Sequence, residues 1–258
     1  MSTDQKTINW YDDNAESYAE HVKDGKNSPY HAYYEKPAIY SLLPDLHGKA
    51  VLSMGCGSGE DSSYLKKQGA EKSVGIDISK GLIEIAKKEH PECEFVVGDI
   101  EQLPFTDAEF DLVFSSFTLH YLSNYQKAFN EAFRVLKPGG TLVFSAGHPV
   151  DTAMEKVVDD DKIRDKRLGV TKDHKTNIKM VYGDYLKKSK IEVNIGPMNV
   201  TFWQQPISDT INQLIDAGFV IEKCIEPKPL PEFEKIDPEN YKVLNRIPAI
   251  IIFKASKV

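Results

Sequence analysis

Cysteine is scarce in this chain. Cys56, Cys93 and Cys224 are three among 258 residues, an odd number without paired spacing. That suggests neither a disulfide framework nor a zinc site, and no metal is expected. Long apolar runs are missing as well. None approaches the roughly 20 residues that span a bilayer, so no membrane span is expected. The opening stretch, residues 1–16, is polar and has no apolar signal core. Positive charge is in deficit: the formal net charge is −7 and the pI about 5.6. Such a chain has no general pull toward nucleic acid or anionic membrane. Repeats, low-complexity tracts and a nucleophilic triad are all absent. A cytoplasmic protein, monomer or homodimer, is the default expectation.

What is present is a full core, at 41% hydrophobic residues, and a strand–helix rhythm. Residues 1–45 read as a helical, aromatic-rich cap. Short apolar runs at Ala50–Met54, Lys72–Ile78, Glu94–Val97, Phe110–Ser115 and Thr141–Ser145 read as buried strands. Helical patterns fall between them, with Ser79 as an N-cap and Gly69 as a C-terminal stop. Tyr125–Leu136 is amphipathic and ends at Lys137-Pro138-Gly139-Gly140. The alternation implies a doubly wound α/β sheet, covered on both faces. It breaks at His148-Pro149. Residues 150–204 are charged and irregular, with short strands expected from Val181 to Gln205 turning at Gly196-Pro197. The rhythm then returns with a helix at Ile207–Ala217 and strands near Phe219–Ile225 and Ile247–Phe253. The organisation expected is a cap (1–45), a core (46–149 and 205–258) and an inserted lid (150–204). A long insertion in a compact domain is usually functional or disordered.

The stretch from Val51 to Glu60, VLSMGCGSGE, hands a buried strand to a helix through three glycines. Such a loop lets backbone approach a ligand, with free N–H groups at the helix start. The dinucleotide fingerprint is G-x-G-x-x-G. Here Gly59 comes one residue early and Glu60 stands where that glycine would be. Glu60 and Asp61 at the helix start disfavour a pyrophosphate, so a nicotinamide dehydrogenase fits poorly. Asp77 ends the second strand and can accept both ribose hydroxyls. Asp99 closes the third strand at the same sheet edge and can accept from an adenine amino group.

The series VLSMGCGSGE, VGIDIS, VVGDIEQLPF, FDLVFSSFTLHYL and RVLKPGGTLVFS resembles the class I S-adenosylmethionine-dependent methyltransferases. It is most similar to the small-molecule group that includes the ubiquinone/menaquinone C-methyltransferases. The similarity covers about residues 49–146. It implies a Rossmann-like seven-stranded sheet with the last strand antiparallel. It also implies that S-adenosylmethionine is the cofactor. Gly55, Cys56 and Gly57 would face its methionine part, Asp77 and Ile78 the ribose, and Asp99 and Ile100 the adenine. Ser115, Ser116 and His120 would lie toward the methyl end. The family usually has an acid at the position of Ser53. A serine there keeps hydrogen bonding but loses charge, which weakens the cofactor without abolishing its site.

Methyl transfer from a sulfonium needs positioning and exclusion of water more than a nucleophile. A base is required only where the acceptor must lose a proton. His148, just past the fifth strand, is the candidate; its plain alternative is a turn into the insertion. Tyr18, with Tyr11, can set an aromatic face toward a sulfonium. Tyr34, Tyr182, Tyr185 and Trp203 are candidates for contact with a small organic acceptor. Between Lys162 and Lys190 ten basic residues face three aspartates, locally +7. That suggests a solvated face or a funnel for an anionic acceptor. Two competing functions remain: a tRNA or rRNA methyltransferase of the same fold, and a non-catalytic S-adenosylmethionine-binding protein.

Overall fold

A computed structural model describes the chain except residues 1, 2, 24, 154, 160, 161, 167, 196 and 197; in 155–166 and 193–199 it describes backbone alone. The expected strands form as β1 (Ala50–Met54), β2 (Lys72–Asp77), β3 (Glu94–Val97), β4 (Phe110–Ser115), β5 (Leu136–Gly147), β6 (Phe219–Ile225) and β7 (Ile250–Lys257). They make one sheet in the order β6-β7-β5-β4-β1-β2-β3. The strands from β1 to β5 are parallel. The last, β7, runs antiparallel to both β5 and β6.

Strands buried on both faces read as continuous apolar runs, and β1 shows how. Successive side chains alternate between faces. Leu52 packs with Phe129, Phe144 and Leu214 on one side. Val51 packs with Ile39, Leu65 and Phe114 on the other. The helices are α1 (Gln5–Asp13), α2 (Ala15–Lys23), α3 (Lys36–Tyr40), α4 (Glu60–Lys67), α5 (Lys80–Glu89), α6 (Gln126–Val135), α7 (Ile207–Asp216) and α8 (Pro238–Leu244). Before α3, His31–Glu35 forms one wide π-helical turn. The Ser79 hydroxyl accepts from the Leu82 N–H at 3.2 Å and caps α5 as expected.

Two expectations change. The fifth strand is longer than Thr141–Ser145, because Leu136 already pairs with Phe110 of β4 and the ladder resumes at Thr141 opposite Leu112, with Lys137–Gly140 taken up in the register shift between them. The insertion also carries more strand than expected. Among its described residues three antiparallel pairs form: Glu155–Asp159 with Lys162–Lys166, Gly169–Lys172 with Lys179–Tyr182, and Ser189–Ile195 with Met198–Gln204. The turn expected at Gly196-Pro197 lies outside the described residues.

The third hairpin meets the N-terminal helices. The Thr201 N–H donates to the Thr7 hydroxyl at 3.0 Å, and Lys190 pairs with Asp4 at 2.7 Å.

Phe144 is fully buried, with the Phe129 and Phe253 rings each 5.2 Å away. Phe144→Ala should cost about 3–5 kcal/mol through lost burial and a residual cavity. Urea unfolding checks it; an unchanged midpoint would mean that this face of the sheet does not pack around the ring.

Candidate functional site

The parallel register brings three strand ends to one edge. Val51–Met54 lies against Ser73–Ile76, and Asp77 stands beside Val97. The glycine loop is then fastened to β2. Gly55 and Cys56 N–H groups both donate to the Ile76 carbonyl at 2.8 and 3.0 Å. The Gly57 N–H donates to Asp77 Oδ2 at 2.9 Å, and the Ser79 N–H to Oδ1 at 2.9 Å. Burial raises the Asp77 pKa against the pull of those N–H groups. Gly55 has φ +69°, and a Cβ there would stand 2.2 Å from Thr118. Only glycine allows that approach.

The N-terminal helices roof this edge. Asp12 of α1 accepts from the Ser79 hydroxyl at 2.6 Å and the Gly81 N–H at 3.2 Å. An acid thereby docks on the positive N-terminus of α5. Tyr11 hydrogen-bonds Tyr121 hydroxyl to hydroxyl and packs edge-on against Tyr18 at 5.1 Å. Burial raises the pKa of both Tyr11 and Tyr18, so they stay neutral.

A charged network forms the far wall. Lys36 Nζ donates to both Asp61 oxygens, at 2.6 and 2.5 Å, and to the Ser116 hydroxyl at 3.0 Å. Tyr40 donates to the same carboxylate at 2.5 Å. Glu35 is fully buried, and its Oε1 accepts from Ser116 at 3.0 Å and Ser145 at 2.7 Å. Burial works against its charge, but Lys36 and His31 beside it hold the carboxyl below the usual range. Burial likewise opposes the charge on Lys36, and Asp61 and Glu35 outweigh it. The Phe117 N–H donates to the Ser145 hydroxyl at 3.0 Å, and this pins Phe117 at φ +47°. Left-handed backbone at a bulky residue is strained and clusters at functional sites.

These elements enclose one cavity. Gly55, Cys56, Gly57, Asp77, Ile78, Asp99 and Ile100 line it from the strand ends, Tyr11 and Tyr18 from the roof, and Lys36, Asp61 and Ser116 from the far wall. His31, Phe117, Thr118 and Tyr121 complete that wall. The comparisons agree with this frame. A methyltransferase domain family matches residues 52–144. An uncharacterized protein of Haemophilus influenzae is 30% identical over 234 residues, 87% of each chain. An S-adenosylmethionine-dependent methyltransferase from Mesorhizobium loti superposes with a TM-score of 0.69 and 26% identity, covering 85% of this chain and 96% of that one.

This chain belongs to the class I S-adenosylmethionine-dependent methyltransferases.

S-adenosylmethionine is its cofactor. Relatives named for an acceptor match over less of their length. The malonyl-[acyl-carrier protein] O-methyltransferase of Serratia marcescens is 34% identical over 98 residues, 38% of each chain. The phthiotriol/phenolphthiotriol dimycocerosates methyltransferase of Mycobacterium tuberculosis is 38% identical over 108 residues, 41% of this chain and 40% of that one.

Several expected site residues of this methyltransferase lie elsewhere. His148 does not line the cavity. Its Nδ1 accepts from the Val150 N–H at 3.1 Å, capping the single turn Pro149–Thr152, and its Nε2 lies 2.9 Å from Glu226. Both ring nitrogens are committed, so the candidate base is a structural cap. Ser115 donates to the Met54 carbonyl at 3.0 Å and stitches β4 to β1. Ser53 is buried within β1, between Gly75 and Phe114 of its neighbours. His120 packs on Tyr121 and Phe202, each 4.4 Å away, and burial, with His31 nearby, pushes its pKa down to about 3. Tyr34 is core, and its hydroxyl accepts from the Ala249 N–H at 3.1 Å. Tyr182, Tyr185 and Trp203 sit on or between the hairpins, away from the cavity wall. The described lysines of 172–190 do not line it either.

The residues sequence reasoning missed are His31, Glu35, Lys36 and Asp61. The signal was present: a histidine, a glutamate and a lysine interrupt the aromatic run Tyr30–Tyr40. Elsewhere, Glu60, Glu89 and His90 bring three donor atoms within 4.8 Å of one another, and Glu89 is already paired with Lys23.

Asp77→Ala should loosen the loop and weaken S-adenosylmethionine by about 1–3 kcal/mol. Unchanged affinity in calorimetry would contradict this pocket. Because burial raises the Asp77 pKa, affinity should begin to fall on acidification at a higher pH than for an ordinary carboxylate. Lys36→Met leaves two carboxylates without their cation and should cost about 3–5 kcal/mol of stability. The depressed Glu35 value adds a sign. Its share of that stability is present above the ordinary carboxylate range and is lost as pH falls through the depressed value. Thermal melts from pH 7 downward on wild type and Lys36→Met check both statements; parallel curves would contradict the second.

Proposed function

We propose that this chain transfers the methyl group of S-adenosylmethionine to a small organic acceptor within the cavity described above. The observation that carries this reading is the mixed lining. The cavity presents the glycine-loop backbone and the Asp77 and Asp99 carboxylates together with apolar and aromatic surface from Val22, Leu122, Phe117 and Tyr121.

The residues fit the cofactor. Asp77 keeps lone pairs beyond its two backbone bonds for the ribose hydroxyls. Asp99 and Ile100 stand where the adenine would lie. Lys36 offers a cation, and Asp61 an anion, to the carboxylate and ammonium of the amino-acid end. That pair supplies the charge which Ser53 does not. Tyr11, Tyr18 and Tyr121 present ring faces suited to a sulfonium. When bound, the cofactor supplies a methyl group already activated for displacement. The chain then has to bind, orient and exclude water. Residues 1–45 serve as the cap and 150–204 as the lid in this reading. Its support is the hairpin of Ser189–Gln204, which rests on α1 and on the Tyr121 ring. Two relatives are named for organic acceptors. Among the described residues no helix is long and apolar enough to cross a membrane.

The test is tritiated methyl transfer from S-adenosylmethionine into cell extract, separated into solvent-extractable small molecules, RNA and protein. Label should enter the small-molecule fraction and stay there after nuclease treatment. Label confined to RNA would replace the acceptor class, and label in no fraction would favour binding without turnover.

A further inference from the structure

The wall of the cavity holds one imidazole among the described residues, and it is neither of the histidines that the strand order suggested. His31 opens the π-helical turn that closes at Glu35. Single π turns recur at functional sites because they re-aim side chains. Here the turn sets His31 Nδ1 4.0 Å from Glu35 Oε2. That oxygen is buried and has no hydrogen-bond partner, although Oε1 of the same carboxylate takes two. The carboxylate is thus fixed by serines through one oxygen and turned toward the imidazole and Lys36 (3.8 Å) through the other. With Nδ1 on the Glu35 side, Nε2 lies on the opposite edge of the ring. It has no hydrogen-bond partner among the described residues. The ring is about one-third exposed and held edge-on against Phe117 at 5.2 Å. Phe117 itself is pinned in strained backbone beside the glycine loop.

We infer that His31, positioned by Glu35, is the general base of this enzyme, and that its acceptor is a hydroxyl carried on an apolar body. The inference rests on the methyltransferase reading above. Elimination supports it. Tyr11, Tyr18, Tyr121 and Cys56 also line the cavity, but burial keeps them protonated. Lys36 is held charged by Asp61 and Glu35. The groups set around His31 are Glu35 on its own segment, with Lys36 against the same Glu35 oxygen, Tyr30 beside it, and His120 from the turn after β4. A carboxylate acceptor would need no base, whereas a hydroxyl does. In the step, the acceptor O–H bond breaks and its proton goes to His31 Nε2. The electron pair stays on oxygen and forms the new C–O bond. The C–S pair leaves with sulfur, which gives neutral S-adenosylhomocysteine, and the imidazolium returns its proton to water.

The test uses the full chain, S-adenosylmethionine and three phenols of rising acidity: phenol, 4-cyanophenol and 4-nitrophenol. His31→Asn should lower kcat/KM on phenol about 100-fold while cofactor affinity stays within about two-fold. The loss should shrink toward 4-nitrophenol, which ionises unaided. Glu35 is a positioning residue: Glu35→Gln should lower kcat on phenol about 10-fold while KM stays within about two-fold, and Glu35→Asp should restore part of the loss. An equal loss across the three phenols, or no loss, would overturn the assignment. A wild-type enzyme that binds the cofactor but methylates no phenol would overturn the hydroxyl acceptor and leave the methyltransferase reading standing. An absence of cofactor binding would remove that reading itself.

Discussion

One carboxylate holds the site together. Asp77 accepts the Gly57 N–H through one oxygen and the Ser79 N–H through the other. The first bond fixes the glycine loop against the end of β2, and the second starts α5. Asp12 then docks the N-terminal roof on the same helix start. Loop, second helix and roof therefore depend on a single buried acid. Its raised pKa is the cost of keeping a charge at the edge of an apolar sheet. The geometry is possible because β1, β2 and β3 pair in parallel and end together, which is where ligands bind in such sheets.

The opposite wall is built on a different balance. Glu35 is removed from water, Lys36 and Asp61 are partly so, and the three compensate one another, with Tyr40, Ser116 and Ser145 supplying hydrogen bonds. Buried ion pairs add little net stability, but breaking one is expensive. The network therefore reads as an arrangement kept for what it presents to the cavity. It places a cation beside the loop, and it leaves one carboxylate oxygen facing an imidazole. The sheet provides the frame, and the chemistry is set by the segment that precedes it.

That division explains what could be read in advance. The meeting of Gly55, Asp77 and Asp99 at one cavity was legible because each stands at or just past the end of a short apolar strand, and strand ends of a parallel sheet converge. The rhythm implied a parallel sheet covered on both faces, and the resemblance supplied its seven strands with the last antiparallel. His148 was misread because closeness to a strand end in sequence says nothing of where the ring turns. Its nitrogens cap Pro149–Thr152 and meet Glu226. Tyr34 failed for a related reason: an aromatic residue in a cap is as readily core as lining. His31, Glu35, Lys36 and Asp61 stayed hidden because their meeting depends on how residues 28–40 dock on the sheet. No local period encodes that packing. The insertion was seen as irregular because its alternation is weak and charged, and its hairpins take their order from pairing along the backbone.

The most direct test of this account is a calorimetric titration of the purified chain with S-adenosylmethionine and S-adenosylhomocysteine, with NADH as the comparison. A loop that ends in Glu60 and Asp61 and faces Asp77, with Lys36 and Asp61 set for an amino-acid end, predicts one-to-one binding of the adenosyl pair and no heat from the dinucleotide. Heat from NADH, or none from either adenosyl compound, would contradict it.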